Sequence, residues 1–232
     1  MLTYNDIIND KTIKAILSKI DYNDQKLICS HGTRHAYSCI TIARSLFDEF
    51  KINPIYLQET LIACSLHDIG NLGGKHNHAK RSYKFAKIFL KGKLLKTSKK
   101  RILTAIKNHS KTRKKSSIIE KVLVCSDKLD MSKTRLMPNG HNYKGMRQSA
   151  FINQIKTIKK LDYFVVEFIV TNQFNINEWN NYYFTKKIIK AVNNLAKTLG
   201  LKPKIEYKKA WFLMLFCLFF VFFAVFINFL FI

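Results

Sequence analysis

The chain has 232 residues, of which 47% are hydrophobic and 13% aromatic, and its formal net charge is +25. This length fits one full-sized domain, and the apolar content excludes a disordered or collagen-like chain. Only seven of the 40 basic residues are Arg, and the Lys residues are spread along the whole sequence, so the charge does not by itself predict a nucleic-acid-binding protein, although anionic ligands would be attracted.

Hydrophobic periodicity predicts a mainly helical body. Asn53-Pro54 is typical of a helix start, and Ser98 is the expected N-cap of a later helix. Gly70, Gly73 and Gly74 predict a loop. The predicted helices cover about 5–20, the stretch after His35, and 54–67, 79–91, 99–109 and 117–130.

The second half of the sequence predicts loops and strands as well as helices. Residues 131–145, "MSKTRLMPNGHNYKG", predict a loop, and the β-branched and aromatic segment 163–170 predicts a strand. A helix at about 178–199 should end at Gly200, and 203–207 predicts a short second strand beside the first. The expected fold is therefore a helical bundle with a small β addition, over residues 1–207.

Residues 211–232, "WFLMLFCLFFVFFAVFINFLFI", contain Asn228 as their only polar side chain. As a helix they would span roughly 33 Å at 1.5 Å per residue, which is enough for a hydrocarbon core of about 30 Å. Four lysines immediately before this segment favour the cytoplasmic side; they are Lys202, Lys204, Lys208 and Lys209. We expect a single-pass C-terminal membrane anchor that carries a cytoplasmic domain.

The cysteines and the N-terminus are consistent with that location. The five cysteines are odd in number and contain no CxxC pair, which argues against a disulfide framework or a zinc knuckle. The N-terminal segment is too polar for a secretory signal. The thiols, which we expect to be reduced and mostly buried, are Cys29, Cys39, Cys64, Cys125 and Cys217.

His67 and Asp68 close the helix that is predicted to begin at Pro54. Such a pair can be an ordinary polar helix end, and HD dipeptides also occur by chance. However, three further histidines and one aspartate lie at or next to other predicted helix ends, and a helical bundle can direct several ends into one cavity. Imidazole and carboxylate groups together suit manganese, iron, cobalt or zinc. The four residues are His35, His78, His109 and Asp127.

The order of His35, the His67–Asp68 pair and Asp127 resembles the signature of the HD superfamily of metal-dependent phosphohydrolases. "SLHDIGN" is similar to that family's central segment, and "VCSDKLDMSKTR" is similar to the region around its last aspartate. The motif resemblance covers about residues 30–137. It implies an HD-domain helical bundle and hydrolysis of a phosphate ester by a hydroxide that divalent metal ions generate from water.

The resemblance also implies roles for the individual residues. Asp68 would bridge two divalent ions, with His35, His67 and Asp127 on one ion and His78 and His109 on the other. If the last two histidines do not converge, a single ion remains. Relatives often have small residues after the position of His78, whereas this chain has Lys80, Arg81 and Ser82, which we expect to crowd or charge the second-metal side.

Some neighbouring residues allow alternatives. His31 is four residues from His35 and could share its helix face, but Gly32 intervenes, so a loop position is favoured. Of His76 and His78, only one can point inward, and His78 abuts the helix. His109 could instead be a helix C-cap that is stabilised by the helix dipole. His141 has no supporting context.

Arg34, Lys128 and Arg135 lie beside the proposed ligands and could bind substrate phosphate. Lys128 could equally pair with Asp130, and Arg135 could be solvated. With Asp68, the residues Arg34 and Lys128 form the predicted catalytic set.

The sequence therefore predicts a membrane-anchored phosphohydrolase of a phosphorylated small molecule, such as a nucleotide or dinucleotide. Nucleic acid is not expected as a partner, and a homodimer is compatible with the sequence. The alternatives are a non-catalytic regulatory module that binds a nucleotide at the membrane, and a membrane-bound ribonuclease. The absence of a GXXG RNA-binding segment argues against the ribonuclease.

Overall fold

The structure, a computed structural model, describes residues 2–111 and 113–210. This part of the chain forms nine α-helices and three β-strands, so the mainly helical body with a small β addition is confirmed. The helices are α1 (Tyr4–Ile8), α2 (Lys11–Asp24), α3 (Thr33–Phe50), α4 (Leu57–Leu66), α5 (His78–Phe89), α6 (Lys96–Asn108), α7 (Ile118–Leu129), α8 (Ile176–Asn181) and α9 (Tyr183–Thr198), and the strands are β1 (Ile152–Lys160), β2 (Tyr163–Val170) and β3 (Lys202–Lys209).

Helix α4 lies at the centre of the helical bundle. Every residue from Glu59 to Leu66 is buried, because α3, α6 and α7 pack around this helix. A helix that is covered on all sides must be apolar on nearly all sides, which explains the run "LIACSL" at 61–66. The residues that follow this run are therefore held in the middle of the fold.

The three strands form one sheet in the order β1-β2-β3. β1 pairs with β2 antiparallel, whereas β2 pairs with β3 parallel. Parallel neighbours need a crossover connection, and α8 and α9 supply it. The sheet packs against the end of α3, where the ring of Phe50 stacks on that of Phe164 with centroids 4.1 Å apart. The strand predicted at 163–170 is confirmed as β2. The strand predicted at 203–207 is β3, which is longer than its predicted range.

Four predicted helix limits are wrong. Helix α3 begins at Thr33, so His35 lies in its first turn and not before the helix. The first helix divides at Asp10, whose carboxylate accepts hydrogen bonds from the N–H groups of Thr12 and Ile13 and so caps a new helix. Helix α6 begins at Lys96, so Ser98 lies inside the helix and is not its cap. The helix predicted at 178–199 is divided by Tyr182, which has an extended backbone between α8 and α9.

Residues 133–135, 138–142 and 146–151 form short 3-10 helices in and just after the predicted loop. No helix in residues 2–111 and 113–210 is long and apolar enough to cross a membrane. The anchor predicted at 211–232 lies outside the described residues. Strand β3 extends to Lys209, two residues beyond the predicted end of the domain, so the folded unit includes the whole strand.

Candidate metal centre

Six histidine and aspartate side chains converge beside the C-terminal end of α4. They come from five segments of the chain, and five of the six residues are at least 90% buried. His78 is the exception, because 19% of its side chain is exposed. The six are His35 in α3, His67 and Asp68 directly after α4, His78 at the start of α5, His109 directly after α6, and Asp127 in α7.

Asp68 lies between two pairs of histidines. Its Oδ2 is 3.5 Å from the Nε2 atoms of both His35 and His67. Its Oδ1 is 3.3 Å from the Nε2 atoms of both His78 and His109. One carboxylate thus presents one oxygen to each pair, which is the arrangement that a ligand shared by two ions requires.

Three of the four imidazoles are oriented by the backbone of their own helical turn. In each, Nδ1 lies within hydrogen-bond distance of the carbonyl oxygen three residues earlier, so Nδ1 carries the proton and donates. Nε2 is then left with a free lone pair that points into the cluster. The pairs are His67 with Cys64 O (2.9 Å), His78 with Lys75 O (2.8 Å) and His109 with Ile106 O (2.7 Å).

His35 is oriented by a carboxylate instead. Its Nδ1 donates to Oδ2 of Asp130 at 2.6 Å, and its Nε2 lies 3.4 Å from Oδ1 of Asp127. Burial lowers the pKa of His35, but its hydrogen bonds with Asp127 and Asp130 raise it more, so the net shift is upward. Sequence reasoning missed this role of Asp130, although its position three residues after Asp127 on one helical face was a usable signal.

The close approach of imidazole nitrogens in the cluster favours a bound cation. The Nε2 atoms of His35 and His67 are 3.2 Å apart, and those of His78 and His109 are 3.0 Å apart. Burial lowers the pKa of His67 to about 3 and also lowers that of His78, so burial disfavours protonation of both rings. An unprotonated Nε2 on His67 or His78 keeps a lone pair that can bind a cation, and a cation at either close pair of nitrogens would use it.

Asp68 strengthens that argument. Although burial raises its pKa, the neighbouring His67 and His109 hold it well below its usual value, so the carboxylate is charged. Its Oδ1 is buried and has no hydrogen-bond partner among the described residues. A buried charged oxygen without a partner is costly. The nitrogen and oxygen donors present fit one or two divalent first-row transition ions.

Asp127 faces positive groups on its other side. Its Oδ2 accepts a hydrogen bond from Nζ of Lys128, and its Oδ1 lies 3.6 Å from the guanidinium of Arg135. Although burial raises the pKa of Asp127, Lys128 and His35 bring it well below the usual value. The alternative pairing of Lys128 with Asp130 is not adopted, because Asp130 binds His35.

Lys80, Arg81 and Ser82 do not crowd the second-metal side, but Lys80 adds positive charge to a neighbouring groove. None of the three lines the cavity at the cluster. The Arg81 guanidinium donates to the Gly70 carbonyl at 2.8 Å, and the Ser82 hydroxyl accepts from the Gly70 N–H at 2.9 Å. A side chain at position 70 would approach the His78 carbonyl to 2.3 Å, so a glycine there lets α5 place His78 in the cluster.

The three predicted phosphate-binding residues have different locations. Lys128 lines the cavity. Arg34 is exposed, lines a different cleft and donates to the Thr134 carbonyl at 3.1 Å, so the structure does not bring it to the cluster. Arg135 lines the cavity but is only 4% exposed, because its guanidinium donates to buried backbone carbonyls. The alternative that Arg135 is solvated is therefore wrong.

The cavity beside the cluster encloses about 110 Å³. Sequence reasoning missed two groups of its lining residues. One group is His31 with Cys29, whose Sγ is 3.7 Å from Nε2 of His31. His31 is buried in the loop before α3, and hydrogen bonding to Asp24 outweighs burial and raises its pKa to about 10. The other group lies at the start of α9 and comprises Tyr182, Tyr183, Phe184 and Lys187.

The remaining histidines lie outside the cluster. His76 is exposed on a neighbouring groove, so His78 is the inward member of that pair, as predicted. His141 is exposed in a 3-10 helix. The four described cysteines, at 29, 39, 64 and 125, are free and buried, as expected for reduced thiols.

We expect Asp130→Asn to weaken metal binding by about 10–100-fold, because the amide is a poorer acceptor for His35 and no longer fixes its ring. Chelator competition at fixed pH measures the change. Asp48→Asn, on the exposed side of α3, removes an equal charge and should leave metal affinity within twofold. An unchanged affinity in Asp130→Asn would show that the hydrogen bond does not position His35.

Comparison with known proteins gives a match over this part of the chain. Residues 32–132 match the HD domain family. The matched HD segment is somewhat less than half of the chain, and it contains all six residues of the cluster together with Asp130. The aromatic residues at the start of α9 lie outside it.

Comparisons with solved structures and with curated proteins give less information about function. One similar solved structure is described as a predicted HD superfamily hydrolase from an uncultured Thermotogales bacterium; it shares 20% sequence identity, covers 57% of this chain and 80% of its own, and has a TM-score of 0.42. No curated protein matches the chain. The HD domain match and the cluster geometry are therefore the two findings that bear on function.

Proposed function

We propose that this protein is a metal-dependent phosphohydrolase that acts on a nucleotide or dinucleotide. The observation that carries the proposal is the Asp68 carboxylate, which presents one oxygen to His35 and His67 and the other to His78 and His109. The match of residues 32–132 to the HD domain supports the same assignment.

The side chains of the cluster would have different roles in metal and phosphate binding. His35, His67, Asp68 and Asp127 would hold one divalent ion, and His78 and His109 would hold a second with Asp68. When bound, such ions lower the pKa of water and polarise phosphoryl oxygens. Lys128 donates a hydrogen bond to Asp127 and lines the cavity, so its positive charge lies where a phosphate group would enter. The burial of the cluster limits the access of bulk water.

The walls of the cavity support an aromatic substrate. At about 110 Å³ the cavity is smaller than the roughly 300–1,000 Å³ of a pocket that buries a whole small molecule, so it suits a phosphoryl group and leaves the rest of the substrate at the mouth. Tyr183, about half exposed, and Phe184 lie there with Lys187. Aromatic rings stack on nucleobases.

We further propose that residues 211–232 anchor the protein in a membrane with the described part in the cytoplasm. Their length and apolar composition support this. Fractionation with a carbonate wash tests the anchor, and full release of the protein into the soluble fraction would refute it.

The full chain, purified in detergent and loaded with manganese or ferrous iron, should bind about two ions and hydrolyse an activated phosphate ester and members of a nucleotide panel. Metal removal should abolish turnover, and adding the metal back should restore it. A chain that binds a nucleotide and metal but turns over no member of the panel would instead be a regulatory module. Cleavage confined to RNA would favour the ribonuclease.

A further inference from the structure

A groove lined by five lysines lies beside the second-metal side of the cavity. Two lysines come from α5, one from the end of α6, and the others from the loops before α5 and after α6. They are Lys75, Lys80, Lys84, Lys107 and Lys111. The sequence alone does not predict this groove, because Lys107 and Lys111 are brought to Lys75, Lys80 and Lys84 only by the packing of α5 on α6.

The positive charge of this groove is not compensated. Five of its eleven lining residues are Lys, whereas Lys and Arg together make up 40 of the 232 residues of the chain. No acidic side chain lines the groove among the described residues, and none of the five lysines has a carboxylate partner in residues 2–111 and 113–210, although lysines elsewhere do, such as Lys160 with Glu167. Such a concentration of one charge attracts anions.

The groove is continuous with the metal centre. Lys75, His78 and Ser110 line both the groove and the cavity. The groove encloses about 770 Å³, against about 110 Å³ for the cavity. An anionic chain whose end lies at the cluster would therefore pass His78 and continue along the lysines.

We propose that this groove binds the phosphate chain of the substrate, so that the site selects molecules with two or more linked phosphoryl groups. This inference rests on the proposed function for the identity of the substrate, but the binding itself does not require turnover. Lys107 is held at the groove by the ring of Tyr83, whose centroid is 5.5 Å from Nζ, which limits the entropy that it loses when an anion binds.

Calorimetric titration of the metal-free full chain in detergent with sodium tripolyphosphate tests the inference. Metal-free protein is used because tripolyphosphate chelates metal ions. Wild-type protein should bind tripolyphosphate more tightly than orthophosphate. Lys80→Gln, Lys84→Gln, Lys107→Gln and Lys111→Gln in one variant should weaken tripolyphosphate binding by about tenfold or more, since four exposed charge contacts are lost.

A matched variant removes the same charge elsewhere. It carries Lys14→Gln, Lys19→Gln, Lys156→Gln and Lys159→Gln, all exposed and outside the groove, and should bind tripolyphosphate within about twofold of wild type. Equal weakening in both variants, or equal affinity of wild type for orthophosphate and tripolyphosphate, would overturn the proposal. The proposal would also be overturned if the wild type bound a ten-nucleotide oligothymidylate more tightly than tripolyphosphate and the groove variant lost that binding. That result would assign the groove to nucleic acid.

The titration separates this inference from the proposed function. Selective loss of tripolyphosphate binding in the groove variant supports the groove even if the metal-loaded protein hydrolyses no tested ester. Conversely, if the metal-loaded protein hydrolyses an ester but the groove variant binds tripolyphosphate as tightly as wild type, the proposed phosphohydrolase function is supported and the proposed role of the groove is rejected.

Discussion

Asp68→Asn should lose both metal ions and reduce phosphate ester hydrolysis by at least about a thousandfold. The amide keeps the shape of the carboxylate but removes the negative charge that faces both histidine pairs, and it can offer only one oxygen where the carboxylate offers two. A shared ligand is thus lost from both ions at once, and neither pair of imidazoles alone completes a metal site.

Metal content by elemental analysis and hydrolysis of an activated ester measure the result. His67→Ala, which removes a ligand from one side of the cluster, should retain part of the metal bound at His78 and His109, so its metal content should exceed that of Asp68→Asn. Asp48→Asn serves as the control of equal charge. Retention of two ions and of full activity in Asp68→Asn would refute the shared-ligand arrangement.

The residues of the candidate metal centre could be predicted because their chemistry coincides with local signals. Each of the four histidines and Asp68 lies within three residues of a helix end, where apolar periodicity stops and a polar residue is conspicuous. The sequence order of His35, the His67–Asp68 pair and Asp127 adds a family resemblance. Their convergence required only that the buried helix α4 pack among its neighbours, which its composition already indicates.

The supporting residues could not be predicted in the same way. Arg34 precedes His35 in the sequence, but adjacent residues on a helix diverge by about 100°, so Arg34 points to a different cleft. His31 is drawn to the cavity by Asp24, whose carboxylate accepts the His31 backbone N–H at 2.5 Å. That contact between the end of α2 and the following loop has no sequence pattern.

Strand β1 was missed for a related reason. Its residues 152–160, "INQIKTIKK", place isoleucine at every third position and polar residues between, which matches neither the alternation of a half-buried strand nor a helical stripe. Pairing with β2 over Ile152 to Lys160, with an irregularity after Ile152, makes it a strand. Tertiary hydrogen bonding decides such segments, because their intrinsic propensity is weak.

Arg135→Met should destabilise the full chain by about 3–5 kcal/mol, because removing one partner from a buried charge network leaves the others without compensation. The guanidinium is 4% exposed. It donates to the Asp127 carbonyl at 2.8 Å and to the Asp130 carbonyl at 3.0 Å, and it lies 3.6 Å from the Asp127 carboxylate. The Met side chain can fill the space but satisfies none of these acceptors.

Urea unfolding in detergent, followed by circular dichroism, measures the change against Arg34→Met. Arg34 is the other predicted phosphate-binding arginine, but it is exposed, so its replacement should change the free energy of unfolding by less than about 0.5 kcal/mol. If Arg135→Met were instead as stable as wild type and raised only the KM for a phosphate ester, Arg135 would be a substrate ligand. The expected difference follows from burial, since the Arg135 guanidinium already donates to the carbonyl groups of Asp127 and Asp130, and these acceptors lose their donor in Arg135→Met.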